Sequence, residues 1–119
     1  QVLIKEHEAV AASSGGPEDR ILGFSTFMTA HLYEQRQIFH ALMRGQGGQI
    51  FLDMIRDVLC EIVRKDLPAG EALHREAAVQ FVVGGYIAVV TWWLRSGAKQ
   101  DPNLVEGAFR AIASSGLPR

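Results

Sequence analysis

Cysteine is nearly absent from this chain of 119 residues, where Cys60 stands alone. With no second thiol there is no internal disulfide, and a zinc site built on cysteines is excluded. A lone cysteine suits a reducing compartment such as the cytoplasm. Charge of one sign is lacking as well: 12 Lys and Arg face 13 Asp and Glu, the net charge is −1, and no basic run occurs. Such a segment has no basic patch with which to grip nucleic acid by itself. Residues 1–16 lack a basic start followed by an apolar core, so they do not read as a signal peptide. Catalytic signatures are missing too. There is no Gly-x-Ser-x-Gly elbow, and the Gly45–Gly48 stretch lacks the Lys-Ser/Thr of a phosphate loop. No His or Asp is placed to activate Cys60 as a nucleophile. These absences leave binding, rather than catalysis, as the expected activity.

Proline is scarce, and its four occurrences punctuate the chain. After the loop Ser13-Ser14-Gly15-Gly16, Pro17-Glu18-Asp19 opens a helix, with proline where a missing N–H costs nothing and acids where the helix dipole favours them. Ile21, Phe24, Met28, His31 or Leu32, Gln35, Ile38 or Phe39 and Leu42 then recur at steps of three and four. That spacing predicts one amphipathic helix running to Arg44 and ending at Gly45, roughly 40 Å long at ~1.5 Å per residue. A second helix follows Gly47-Gly48, with Phe51, Met54, Ile55, Val58, Leu59 and Ile62 on its apolar side, until Leu67-Pro68-Ala69-Gly70 breaks it. A third runs from about Glu71 to Ser96 and stops at Gly97. The fourth starts with Asp101 as N-cap and Pro102 in first position, carries Leu104, Val105, Ala108, Phe109 and Ile112, and ends near Gly116 and Pro118. Val2 to Ala12 also look helical, as the tail of a helix. The expected fold is therefore all-α, an antiparallel bundle of about four main helices in one domain over residues 17–119.

The third helix differs from its neighbours. From Ala77 to Leu94 no residue is charged, which barely reaches the ~18–20 apolar residues of a membrane span and includes Gln80, Gly84, Gly85 and Thr91. A buried central helix with no membrane partner is the expectation. One face carries Ala78, Phe81, Gly85, Ala88 and Trp92; another carries Val79, Val83, Tyr86, Val90 and Leu94. A helix apolar on all sides must be covered on all sides. Two amphipathic helices and a short fourth cover one face, so a second copy of the chain is expected on the other, across a two-fold axis, with the fourth helix completing a four-helix bundle. The expected interface is Val79, Val83, Val90, Leu94, Val105, Phe109 and Ile112; the alternative is a monomeric bundle with the third helix at its centre. Gly84 and Gly85 each cost ~1 kcal/mol mid-helix, which points to close backbone approach or room for a ligand.

The run from Phe81 to Gly97, with Trp92-Trp93-Leu94 before its glycine, resembles a helix in the C-terminal domain of tetracycline-repressor-like (TetR) regulators. Asp101-Pro102-Asn103-Leu104-Val105-Glu106 resembles the start of that domain's final helix. Phe27–Leu32 and Ile38–Met43 are similar to its first long body helix. The resemblance spans most of residues 18–117 and rests on the order of hydrophobic segments and loops rather than on one diagnostic motif. It implies a transcriptional regulator whose helical body dimerises and senses a small ligand, while a separate N-terminal helix-turn-helix domain reads operator DNA. Residues 1–16 would then be the end of the linking helix and a loop, and this chain would not bind DNA alone.

The resemblance also implies an effector pocket inside the body, for a small hydrophobic or aromatic compound. Its lining would be Phe24, Phe27, Met28 and His31, with Met54 and Val58, closed by Phe81, Gly85 and Trp92; His31 and Tyr86 would be the polar anchors. The same side chains also suit plain core packing. Metal and cofactor sites are not expected. His31 and Glu34 stand three apart, but a ferritin-like centre needs that pair twice plus inward carboxylates. Asp53, Asp57 and Glu61 read as a solvated stripe, with Lys65 spaced to pair with Glu61. Two rivals remain beside the regulator: a helical homodimeric interaction module with no effector, and a ferritin-like metalloprotein.

Overall fold

The computed structural model describes residues 21–115. The expected helix over Val2–Ala12, the Pro17 start and the stop near Gly116 lie outside the described residues. Five helices lie wholly within the described residues: α1 (Phe24–Glu34), α2 (Arg36–Met43), α3 (Gly47–Asp66), α4 (Ala72–Arg95) and α5 (Pro102–Ser114). No strand occurs among the described residues, and the all-α expectation holds.

The first predicted helix is interrupted twice, by a turn at Gly23 before α1 and again between α1 and α2. It bends at Gln35, whose φ of −105° and ψ of 25° leave the helical region. At the bend the Arg36 guanidinium donates to the Tyr33 carbonyl at 2.9 Å and lies 4.3 Å from the centre of the Tyr33 ring. Helical spacing continues on both sides, so periodicity cannot reveal the break. The bend brings α2 against α3 and α4. Phe39 stacks on Phe51 with ring centres 4.9 Å apart, and His40 Nδ1 lies 2.9 Å from the Leu94 carbonyl. A carbonyl only accepts, so the Nδ1 atom of His40 carries the proton.

The other boundaries follow their local chemistry. Glu71 caps α4 by accepting from the amides of Leu73 and His74, and these bonds hold its carboxyl below the usual range. Asp101 caps α5 by accepting from Asn103, with Pro102 behind it, as the sequence predicts. α4 ends in a Schellman motif: Gly97 donates to the Leu94 carbonyl and Ala98 to that of Trp93. Gly97 sits at φ 93°, a left-handed conformation in which a side chain is strained. At the other end of α4, the Arg75 guanidinium donates to the carbonyls of Pro68 (2.9 Å) and Arg64 (3.2 Å), tying down the C-terminus of α3.

α3 and α4 form the most extensive helix pair. Leu59, Ile62 and Val63 from α3 meet a core completed by α1 and α5. On the rim, Arg64 grips Glu76 with two hydrogen bonds of 3.0 and 2.8 Å. The guanidinium, and then the Gln80 amide, draw the Glu76 carboxyl down to about 2. A depressed carboxyl stabilises the fold above its ordinary pKa of 4.5, and that contribution fades as pH falls towards 2. Glu76→Gln is therefore expected to lower the urea midpoint modestly at pH 7 in low salt, with the gap closing in acid. The pair is exposed, so salt should shrink the gap too. A gap unchanged down to pH 2 would mean that Glu76 acts by something other than its charge.

Candidate functional site

The two faces of α4 find opposite surroundings. Val79, Val83, Tyr86, Val90 and Leu94 are buried within the protomer, together with Val82, Ile87 and Trp93. Six of the seven expected interface residues (Val79, Val83, Val90, Leu94, Val105 and Phe109) thus belong to the core of a single chain. None is more than 6% exposed, so none has area left to offer a second copy. Ile112 alone stands outside, at 65% exposure. The outward face of α4 is the other one. Leu73, Ala77, Phe81, Gly85, Ala88 and Trp92 form its exposed ridge. Parallel chemistry appears on α5, where Leu104, Ala108 and Ile112 are exposed at steps of four.

The expected effector pocket does not assemble as one cavity. Phe24, Met28 and Tyr86 are buried in the core. Phe27 and Val58 are half-buried, while His31, Met54, Phe81, Gly85 and Trp92 are exposed. What the fold does bring together is an aromatic cluster joining α1, α4 and α5. Phe24 and Tyr86 meet edge to face with centres 5.1 Å apart, and Tyr86 meets Phe109 at the same distance. The Tyr86 hydroxyl is 2.8 Å from Thr29 Oγ1, a buried pair in which either atom can donate. Burial pushes the phenol well above its ordinary range, the Thr29 bond opposing it more weakly. Tyr86 is therefore a neutral packing and hydrogen-bonding group whose polar tip already has a partner. His31 lies at the surface beside Phe39, with ring centres 6.0 Å apart.

Beside this cluster a polar knot joins α1 to α5. Glu106 Oε1 accepts from Ser25 Oγ and Thr26 Oγ1, both at 3.1 Å, and from Arg110 Nε at 2.6 Å. Arg110 also donates to the Leu22 carbonyl at 3.2 Å. Sequence spacing gives no hint of it, because the partners lie about 80 residues apart.

The remaining candidates stay apart. Glu34, Asp53, Asp57 and Glu61 are exposed, and among the described residues no three His, Cys, Asp or Glu side chains gather as a metal cage. Cys60 is buried, and desolvation raises its thiol pKa, which disfavours the nucleophilic thiolate. α4 is long and apolar enough to cross a membrane by length and composition. Its inner face, however, is the centre of this core.

A family model described as "Transcriptional regulator C-terminal region" matches residues 19–112. No curated protein and no solved structure matches the chain.

Proposed function

Because the chain belongs to the family of TetR-type transcriptional-regulator C-terminal regions, we propose that it pairs with a second copy and responds to a small hydrophobic or aromatic effector. Operator DNA is read, in this proposal, by a separate N-terminal helix-turn-helix domain, and the setting is the cytoplasm. Binding, not catalysis, is the activity.

The exposed apolar ridge of α4 carries the pairing. Phe81 is 64% and Trp92 55% exposed, so two large aromatic side chains face outward on one helix. Large apolar side chains exposed along one helix face mark interaction surfaces, and aromatic anchors of this kind dominate interfaces. Gly85 and Gly107 strengthen the reading. A Cβ added at either would meet nothing within 4 Å, so no contact inside the protomer needs these glycines. A facing helix that approaches closely would. The partner helices are α4 and α5 of the second copy, packed as a four-helix bundle about the two-fold axis.

Regulation then follows as a population shift. An effector that fits one arrangement of the pair better by ~2 kcal/mol changes operator affinity about thirtyfold. Sedimentation equilibrium tests the pairing: a dimer at micromolar concentration is expected, and a monomer throughout that range would sink it.

A second reading, a pairing module with no effector, draws support from the filled cluster of Phe24, Tyr86 and Phe109. The two readings separate on ligand response. Small aromatic compounds raise the melting temperature under the first and leave it unchanged under the second.

A further inference from the structure

Between α3 and α4 runs an open groove of about 620 Å³, within the ~300–1,000 Å³ typical of small-molecule sites. Its walls include Gln49 and Arg56 from α3, and Thr91, Trp92, Arg95 and Ser96 from the end of α4. Three features set it apart from an ordinary crease between helices.

The first is unspent positive charge. Arg36, Arg64, Arg75 and Arg110 are each engaged by a carbonyl or a carboxylate. Arg44, Arg56 and Arg95 make no side-chain hydrogen bond and no ion pair among the described residues, and of these Arg56 and Arg95 line the groove. Arg56 is half-buried and reaches across to α4, where a Cβ on Gly84 would lie 3.7 Å from its Nη1. The second is an orphan. Thr91 Oγ1 is shielded from solvent and has no hydrogen-bond partner, the one such side-chain atom among the described residues. A buried hydroxyl without a partner costs ~1–3 kcal/mol, so something that satisfies it is favoured. The third is the Trp92 indole at the groove's edge, a flat surface for a ring.

We infer that this groove binds an aromatic carboxylate, its acid group held by Arg56 and Arg95, its ring against Trp92, and an oxygen accepting from Thr91 once that side chain turns its shielded hydroxyl into the groove. Guanidinium forks match a carboxylate's two oxygens, which is why arginine rather than lysine suits the task. The inference rests on the regulator reading and gives its effector a chemical class and a place. Trp92 belongs to both the groove and the pairing ridge, so the test uses the groove's polar residues instead.

Isothermal titration with naphthoate, its neutral counterpart naphthamide, and inorganic phosphate decides the matter. Naphthoate is expected to bind at least tenfold more tightly than either of the others. Arg56→Gln and Arg95→Gln are each expected to weaken naphthoate by about ten- to a hundredfold while leaving naphthamide unchanged. Thr91→Val separates the site from mere stability. It removes the orphan hydroxyl, so the ligand-free melting temperature should rise while naphthoate affinity falls. Equal binding of naphthoate and naphthamide overturns the inference, as does full naphthoate affinity in either arginine variant. Phosphate binding as tight as naphthoate reduces the groove to a nonspecific anion site and also overturns it. Sedimentation of the same samples keeps the two claims apart: a dimer that ignores naphthoate sinks the groove alone, and a monomer that binds it sinks the pairing alone.

Discussion

Trp93→Ala is expected to remove about 3–5 kcal/mol of folding stability, the cost of emptying a large aromatic site in a core. Trp93 is fully buried, stacked on Tyr33 with ring planes 11° apart and centres 5.8 Å apart. Its indole N–H donates to the Gln100 carbonyl at 3.1 Å, so the loss also strips a partner from the connection between α4 and α5. The same residue's carbonyl anchors the Schellman turn. One side chain thus fastens α1, α4 and the approach to α5. Against a total of ~5–15 kcal/mol for a domain, the variant keeps little margin. Urea unfolding at fixed protein concentration checks this, and a loss under ~1 kcal/mol would mean that the indole is not seated as described. Trp93→Phe isolates the hydrogen bond, with a smaller loss of about 1 kcal/mol expected.

The neighbouring tryptophan should behave in the opposite way. Trp92 points outward, and its removal leaves no cavity. Adjacent residues on a helix point about 100° apart, which is enough to place one indole in the core and the next at the surface. Sequence inspection singles out Trp92 and passes over Trp93. Only packing tells them apart.

That contrast marks what was legible and what was not. The helix ends at Asp101-Pro102 and Gly97 are written in local chemistry and can be read directly, whereas Gly47 and Gly48, expected to precede α3, are its first two residues. The division of α4 into two apolar faces is legible too, because Val79, Val83, Tyr86, Val90 and Leu94 follow helical spacing. Which face turns inward is not. Both are apolar, so the helix has almost no amphipathic direction, and hydrophobicity does not distinguish burial within a chain from burial between chains. Side-chain size offers the missing clue. The inward face is built of Val, Tyr and Leu with no glycine, whereas Gly85 and Ala88 on the outward face fill no core. The bend at Gln35 was hidden because it keeps the helical period on either side. The groove arginines were hidden because a lone Arg on a helix normally reads as solvated, and only the fold shows that Arg56 and Arg95 share a groove with a partnerless threonine.

Under the proposed pairing, replacing Phe81 and Ile112 together by glutamate should convert the dimer to monomer without unfolding the chain. Both residues are about two-thirds exposed in the protomer, at 64% and 65%, so each change falls in the class of surface substitutions that alter stability by ~0.5 kcal/mol or less. In a two-fold pair the consequences are multiplied. Each substitution appears twice, and four carboxylates enter a surface that offers them no partner. Losing one central aromatic anchor costs ~2 kcal/mol or more, and burying unpaired charge adds to it. A dissociation constant raised at least about a thousandfold is the expected result, equivalent to ~4 kcal/mol. Sedimentation equilibrium reads the first consequence, and urea unfolding of the resulting monomer reads the second. A double variant that remains dimeric would move the interface away from α4 and α5. A variant that unfolds would show instead that these side chains serve the protomer's own core. Under the proposed function, in which a separate domain reads operator DNA, the monomer should also lose operator affinity, since two half-sites are held only while the bodies hold each other.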